Sequence, residues 1–236
     1  MMEATRIKRQ RGAGEWQRRM ANGFSRLTRS RVEVLVRGAD WRAWEVGCFE
    51  LLHGPEFTAR EEGRRVRMDM LPGENLSQRL ESGTLSPAML AAAAAELRRA
   101  HELQSEHFGG AWSHGDPHTG NFLYDVATGR ARLIDFELRH VRTLSADERH
   151  VEDLLVLLLD VCGRCSAGAW LPLAWAFLRG YESLEIVALV REKLNTPRGF
   201  ARLRWSVQTR WLPRVERERR MSELASALDA VEMGAL

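Results

Sequence analysis

The chain has 236 residues, 44% of them hydrophobic and 28% charged, enough to bury a real core in one compact unit or two small lobes and too apolar for a disordered chain. A net charge of +3 is modest, and three cysteines, an odd number with no secretory signal ahead of them, argue against a disulfide framework and for reduced cytosolic thiols. The longest apolar runs, residues 154–161 and 167–178 with Pro172 inside the second, fall short of the roughly 20 residues that span a bilayer and read as buried helices.

In chain order, Ile7 and Lys8 form a short apolar-basic run, and the β-branched run at residues 32–36 has strand character. Trp41, Trp44, Cys48, Leu51 and Leu52 recur at three- and four-residue steps, which predicts a helix over residues 40–52 capped by Asp40 and ended by His53-Gly54-Pro55. Residues 57–58 and 66–71 read as two further strands, the second closed by Pro72-Gly73. An Ala-Leu periodicity over residues 87–101 is strongly helical, with Ser86-Pro87 at its start. Two short strands, 122–124 and 131–134, flank a Thr128-Gly129 turn. The rest is predicted helical over residues 146–162, 170–181, 184–193, 200–209 and 215–231. Strands gathered early and helices late make the class α+β, with an amino-terminal lobe over residues 1–71, a connector near 70–74 and a larger, mostly helical lobe over 72–236.

The chemistry concentrates in residues 113–137, SHGDPHTGNFLYDVATGRARLIDFE. Asp116 is followed by Asn121 five residues on and by Asp135 fourteen further. Phosphoryl transfer needs such a set: a carboxylate that accepts the proton of the acceptor hydroxyl, an amide oxygen for one metal ion, and a second carboxylate for the metals that bridge nucleotide phosphates. Asp116, Asn121 and Asp135 fit these roles in order, and magnesium prefers the oxygen ligands that Asn121 and Asp135 supply. His114 is assigned a structural hydrogen bond that fixes the loop, and His118 a contact with solvent or substrate. Cys162 and Cys165 form a C-x-x-C, but no second Cys or His pair lies near to complete a zinc site.

These motifs resemble those of the protein-kinase-like superfamily, and they are shared with aminoglycoside phosphotransferases and the atypical kinases of quinone biosynthesis. Ile7-Lys8-Arg9-Gln10-Arg11-Gly12-Ala13-Gly14-Glu15-Trp16, with Gly38-Ala39-Asp40-Trp41-Arg42-Ala43-Trp44-Glu45 about thirty residues on, resembles the lysine strand and the following acidic, tryptophan-containing helix of bacterial lipopolysaccharide kinases, the Kdo and core-heptose kinase family. The resemblance covers residues 7–153. It implies a bilobal kinase-like fold, ATP and Mg2+ as cofactors, Lys8 as the cation on the ATP phosphates, Glu45 as its partner, and a sugar-containing or other small, lipid-linked acceptor. Arg37 is the rival cation, and Glu15 and Glu50 are rival carboxylates. Asp153, in HVEDLLVLLLD, resembles the helix Asp that braces the catalytic loop.

Several departures bear on the reading. Kinase-like folds place two strands and a glycine-rich loop ahead of the lysine strand, whereas seven residues precede Lys8 here and Gly12-Ala13-Gly14 follows it. The expectation is a small, truncated amino-terminal lobe, a start further upstream, or another cover for the phosphates. Gly115 stands where phosphorylation-regulated protein kinases carry Arg, and residues 138–149 leave little room for a peptide-docking segment. A small-molecule phosphotransferase is therefore expected, with a nucleotide-binding pseudokinase or scaffold as the alternative and an atypical protein kinase behind both. The basic segment 198–220, interleaved with Trp205 and Trp211, suits an anionic membrane surface or a phosphorylated glycan better than nucleic acid, or forms the solvated face of amphipathic helices. The expected location is cytoplasmic, at most peripheral to the inner face of the membrane.

Overall fold

The computed structural model describes residues 5–9, 31–54, 56–195 and 212–233. Among these residues, four small antiparallel sheets and a set of helices make a mixed, α+β arrangement. The first sheet is ordered β1-β4-β3, from β1 (Thr5–Lys8), β3 (Ala59–Glu62) and β4 (Arg65–Asp69). Lys8 lies opposite Val66, so its side chain leaves β1 on the buried face of the sheet, the face that also carries Val66 and Met68.

Helix α1 (Gly38–His53) backs this sheet, and Trp41, Glu45, Cys48, Phe49 and Leu52 form its buried stripe at helical spacing. It begins earlier than the sequence predicts. Arg37 holds the N-cap position with extended backbone and no side-chain cap, so Asp40 sits in the first turn, where its charge meets the positive end of the helix dipole. The β-branched run at 32–36 is a strand only over β2 (Val32–Val34), and its partner is β10 (Leu138–His140), far downstream. Phe57 and Thr58 are not a strand; the pairing with β4 starts at Ala59.

Strand β5 (Glu74–Asn75) edges the hairpin of β8 (Phe122–Asp125) and β9 (Arg130–Leu133), and β6 (Gln104–Ser105) pairs with β7 (Gly110–Ala111). Two helices lie between: α2 (Leu76–Glu81), capped by Asn75, and α3 (Pro87–Glu102), where Ser86 accepts from the Met89 amide with Pro in the first turn. Helix α4 (Ala146–Arg164) starts in a capping box made by Ser145 and Glu148 and is buried from Val151 through Leu159, which makes it the central rod of the helical half. Helices α5 (Trp170–Tyr181), α6 (Leu184–Asn195) and α7 (Arg214–Met233) pack around it.

The predicted helix at 200–209, with Trp205 and Trp211, lies outside the described residues, as does Glu15. Within the described part of the basic segment, Arg217 and Arg220 are buried, whereas Arg214 and Arg219 are exposed, as a solvated helix face would have them. Arg220 donates to the carbonyls of Cys162 and Cys165, both at 2.8 Å, and so ties α7 to the end of α4. Among the described residues no helix is long and apolar enough to cross a membrane.

Candidate active site

The loop between β7 and β8 carries Asp116 and is held from behind. Asp153, on α4 and fully buried, accepts from the backbone amides of His114 (2.7 Å) and Gly115 (2.8 Å). Two N–H groups that the loop would otherwise bury without a partner are thereby satisfied. Asp153 lies well inside α4, beyond its first turn. Its Oδ2 also accepts from His101 Nε2 at 3.0 Å, and His101 Nδ1 accepts from the Tyr181 hydroxyl at 2.7 Å. His150 stacks on His101 at 3.9 Å between ring centroids. Gly115 has φ +92°, and a Cβ there would stand 3.2 Å from the Arg139 Cα, which accounts for glycine at this position.

The same loop locks its own ends. His114 Nε2 donates to the Ile134 carbonyl at 3.1 Å, and its Nδ1 faces the Asp116 amide at 3.3 Å, the structural role expected of it. A 3-10 turn, Thr119–Asn121, then brings Asn121 back so that its Nδ2 donates to the Asp116 carbonyl at 2.8 Å. This orients the amide and leaves Oδ1 as the end able to take a cation. Thr119 is anchored to α4 through its amide and hydroxyl, both donating to Asp160.

Across the cleft, Lys8 Nζ lies 2.7 Å from Glu45 Oε1 and 2.6 Å from Asp135 Oδ1. The ammonium thus joins β1, α1 and the segment after β9, 127 residues downstream. Asp135 has φ 70°, a left-handed conformation that Asp tolerates better than most residues and that turns the chain out of β9. Glu45 is buried, with Oε2 lacking a hydrogen-bond partner among the described residues. Burial pushes its carboxyl above the usual range, against the pull of Lys8. Arg37 and Glu50, the rivals, are exposed and stand apart from this contact.

A cavity of about 160 Å³ opens beside Lys8 and Asp135, between the β1–β4 sheet and the β8–β9 hairpin, with Met68, Leu71, Leu123 and Ile134 among its walls. Asp116 faces several carboxylates. Its pKa is pushed up to about 7, first by burial and then by Asp135, Asp153 and Asp160. Among the described residues no group of three or more His, Cys, Asp or Glu could hold a metal by itself.

The chain matches no family model and no curated protein at a significant level of similarity. The site is therefore read from its own geometry. That geometry brings Lys8, Glu45 and Asp135 into direct contact and joins Asn121 to Asp116 by backbone and side chain. Three residues absent from the sequence reading take part: His101, Tyr181 and Asp160. His101 closes an Ala-rich helical run and Tyr181 closes another, so nothing local marks either of them.

Proposed function

We propose that the protein is a kinase-like, ATP-dependent phosphotransferase whose acceptor is a hydroxyl of a sugar-containing or other small molecule. One observation carries the reading: a buried lysine bridges a helix carboxylate and the Asp that follows β9, beside a braced loop bearing Asp116 and Asn121. The resemblance to lipopolysaccharide kinases supports a glycan or glycolipid acceptor at the inner face of a membrane.

The donor set fits a magnesium ion carried on nucleotide. Asn121 and Asp135 offer two oxygen ligands, and Mg2+ commonly binds to one or two protein groups with phosphates and waters completing its shell. Bound there, Mg2+ would neutralise phosphate charge. Lys8 supplies a second positive charge from a fixed position, since Glu45 holds the otherwise flexible ammonium toward Asp135. In the transfer, the acceptor oxygen bonds to the terminal phosphorus of ATP, the bond from that phosphorus to the bridging oxygen of ADP breaks, and the hydroxyl proton passes to Asp116. A carboxylate poised near 7 suits a base at neutral pH. Most of the rate comes from holding these groups in place.

A second reading, a nucleotide-free scaffold of the same fold, is favoured by the cavity volume. At about 160 Å³ it is smaller than the roughly 300–1,000 Å³ usual for small-molecule sites. Calorimetry with Mg·ATP followed by an ATP-turnover assay separates the two. The phosphotransferase binds and turns over ATP, and Asp116→Asn loses about 10²–10⁴ in rate while keeping its fold and nucleotide affinity. Wild-type turnover in the Asn variant, or no binding by the wild type, would sink the reading.

A further inference from the structure

His118 sits two residues beyond Asp116, and its ring is held by an arrangement that leaves one nitrogen free to act. Nδ1 accepts from the backbone amide of Gly120 at 3.0 Å, so the proton of the neutral ring is on Nε2. That Nε2 stands 3.9 Å from Asp116 Oδ2, and both side chains keep a minor part of their surface open to solvent while most of it is enclosed by protein. The separation is too long for a hydrogen bond between them. It is short enough for one oxygen atom to lie within hydrogen-bond distance of both.

Gly120 makes this seat possible. A Cβ built there would lie 2.6 Å from His118 Cε1 and 2.9 Å from Nδ1. Alanine at 120 would collide with the ring, which supplies the three atoms nearest to that Cβ.

Resting on the phosphotransferase reading, we propose that His118 is a further catalytic residue, whose Nε2–H donates to the attacking hydroxyl oxygen while that oxygen's own proton points at Asp116. A hydroxyl oxygen carries one proton and two lone pairs. With the proton on Asp116 and one lone pair on His118, the remaining lone pair has a single direction left, which is toward phosphorus. Asp116 alone would leave the hydroxyl free to rotate about its bond to the carboxylate. The pair fixes the attack trajectory, an effect of orientation.

The probe is Mg·ATP hydrolysis, with water as the acceptor, so the unidentified natural acceptor is not needed. His118→Asn is the discriminating variant: Asn is a favoured cap and can still accept from the Gly120 amide, but it is too short to reach toward Asp116. The expected result is an unchanged melting temperature and Mg·ATP affinity with turnover about 10–100-fold lower. Gly120→Ala, which dislodges the ring, should lower turnover to a similar degree, and in a His118→Ala background it should cause no additional loss. Wild-type turnover in His118→Asn would show that His118 only caps the 3-10 turn and would overturn the inference, as would full additivity of Gly120→Ala with His118→Ala. Either result leaves the phosphotransferase reading standing, provided that the wild type turns over ATP and Asp116→Asn does not. Absence of wild-type turnover would remove that reading, and this inference with it.

Discussion

Behind Asp116 the loop ends on buried, neutral-to-charged hydrogen bonds: Asp153 to two backbone amides, His101 to Asp153, Tyr181 to His101, His114 to the Ile134 carbonyl. Across the cleft, one ammonium joins Glu45 to Asp135, and Asp135 is a fifth exposed. The first arrangement is directional and satisfied, so removing a member strands buried polar groups. The second is a balance of charges in which Glu45 can answer the loss of its partner by taking a proton, because burial has already raised its carboxyl. Asp116 is thus presented rigidly, while the Lys8 ammonium is held by a contact that other charges can rearrange.

The strongest break of this contrast is Asp153→Ala. Two buried amides and His101 would lose their acceptor, and each stranded donor costs about 1–3 kcal/mol. A loss of several kcal/mol in unfolding free energy is expected from denaturant titration, together with faster hydrogen exchange at the His114 and Gly115 amides. A change below about 1 kcal/mol, the net worth of a single ordinary hydrogen bond, would show that the loop does not depend on Asp153.

Lys8→Met should separate function from stability on the other side. Stability should fall by less than in Asp153→Ala, since a protonated Glu45 relieves the charge left behind, whereas Mg·ATP use should fall steeply. Arg37→Met removes an exposed cation at the start of α1 and should change both by little, within about 0.5 kcal/mol for stability. If Arg37 proved the sensitive position for ATP and Lys8 did not, the contact among Lys8, Glu45 and Asp135 would be structural and the cation would have to be sought elsewhere.

The two sides also differ in how far the sequence revealed them. Asp116, Asn121 and Asp135 lie within twenty residues of one another, and their spacing around a hairpin is a local signal. The hairpin strands fall at residues 122–125 and 130–133, close to the predicted 122–124 and 131–134. Helix α5 has its predicted bounds because turn residues and apolar periodicity coincide there. Lys8 and Glu45 carry no such local signal and are picked out only by a resemblance, whereas their contact is a fact of the structure. The pairing of β2 with β10 left no local trace, because a three-residue strand takes its partner from over a hundred residues away. The same holds for His101 and Tyr181, whose meeting depends on how α3 packs against α5. The start of α1 was misplaced because Asp40 looks like a cap by type, although the chain enters the helix three residues earlier.

A further expected effect concerns acid, and it tests whether the directional side extends beyond the loop. Burial holds His53, His107 and His150 down to about 4 and His101 well below its ordinary value. A histidine depressed in the folded state is neutral there while the unfolded chain still binds a proton near 6.5, so the unfolded state holds more protons as pH falls. Stability from these groups is full above about 6.5 and is lost as pH drops toward 4. Asp116 and Glu45 act in the opposite sense. Their raised carboxyls cost stability at high pH, and that cost is relieved on acidification, through about 7 for Asp116. The histidines outnumber them, so unfolding free energy should decline from pH 7.5 to pH 5. His53 isolates one contribution, since it lies away from the Asp116 loop, donates to the Leu133 carbonyl at 2.8 Å, and is depressed by burial with help from Arg99, Arg132 and Arg130. His53→Gln can keep that hydrogen bond but binds no proton when unfolded. The slope of stability against pH between 6 and 5 should flatten by up to about 1.4 kcal/mol per pH unit. An unchanged slope would mean that His53 titrates alike in both states, and that the buried histidines do not set the acid limit of the fold.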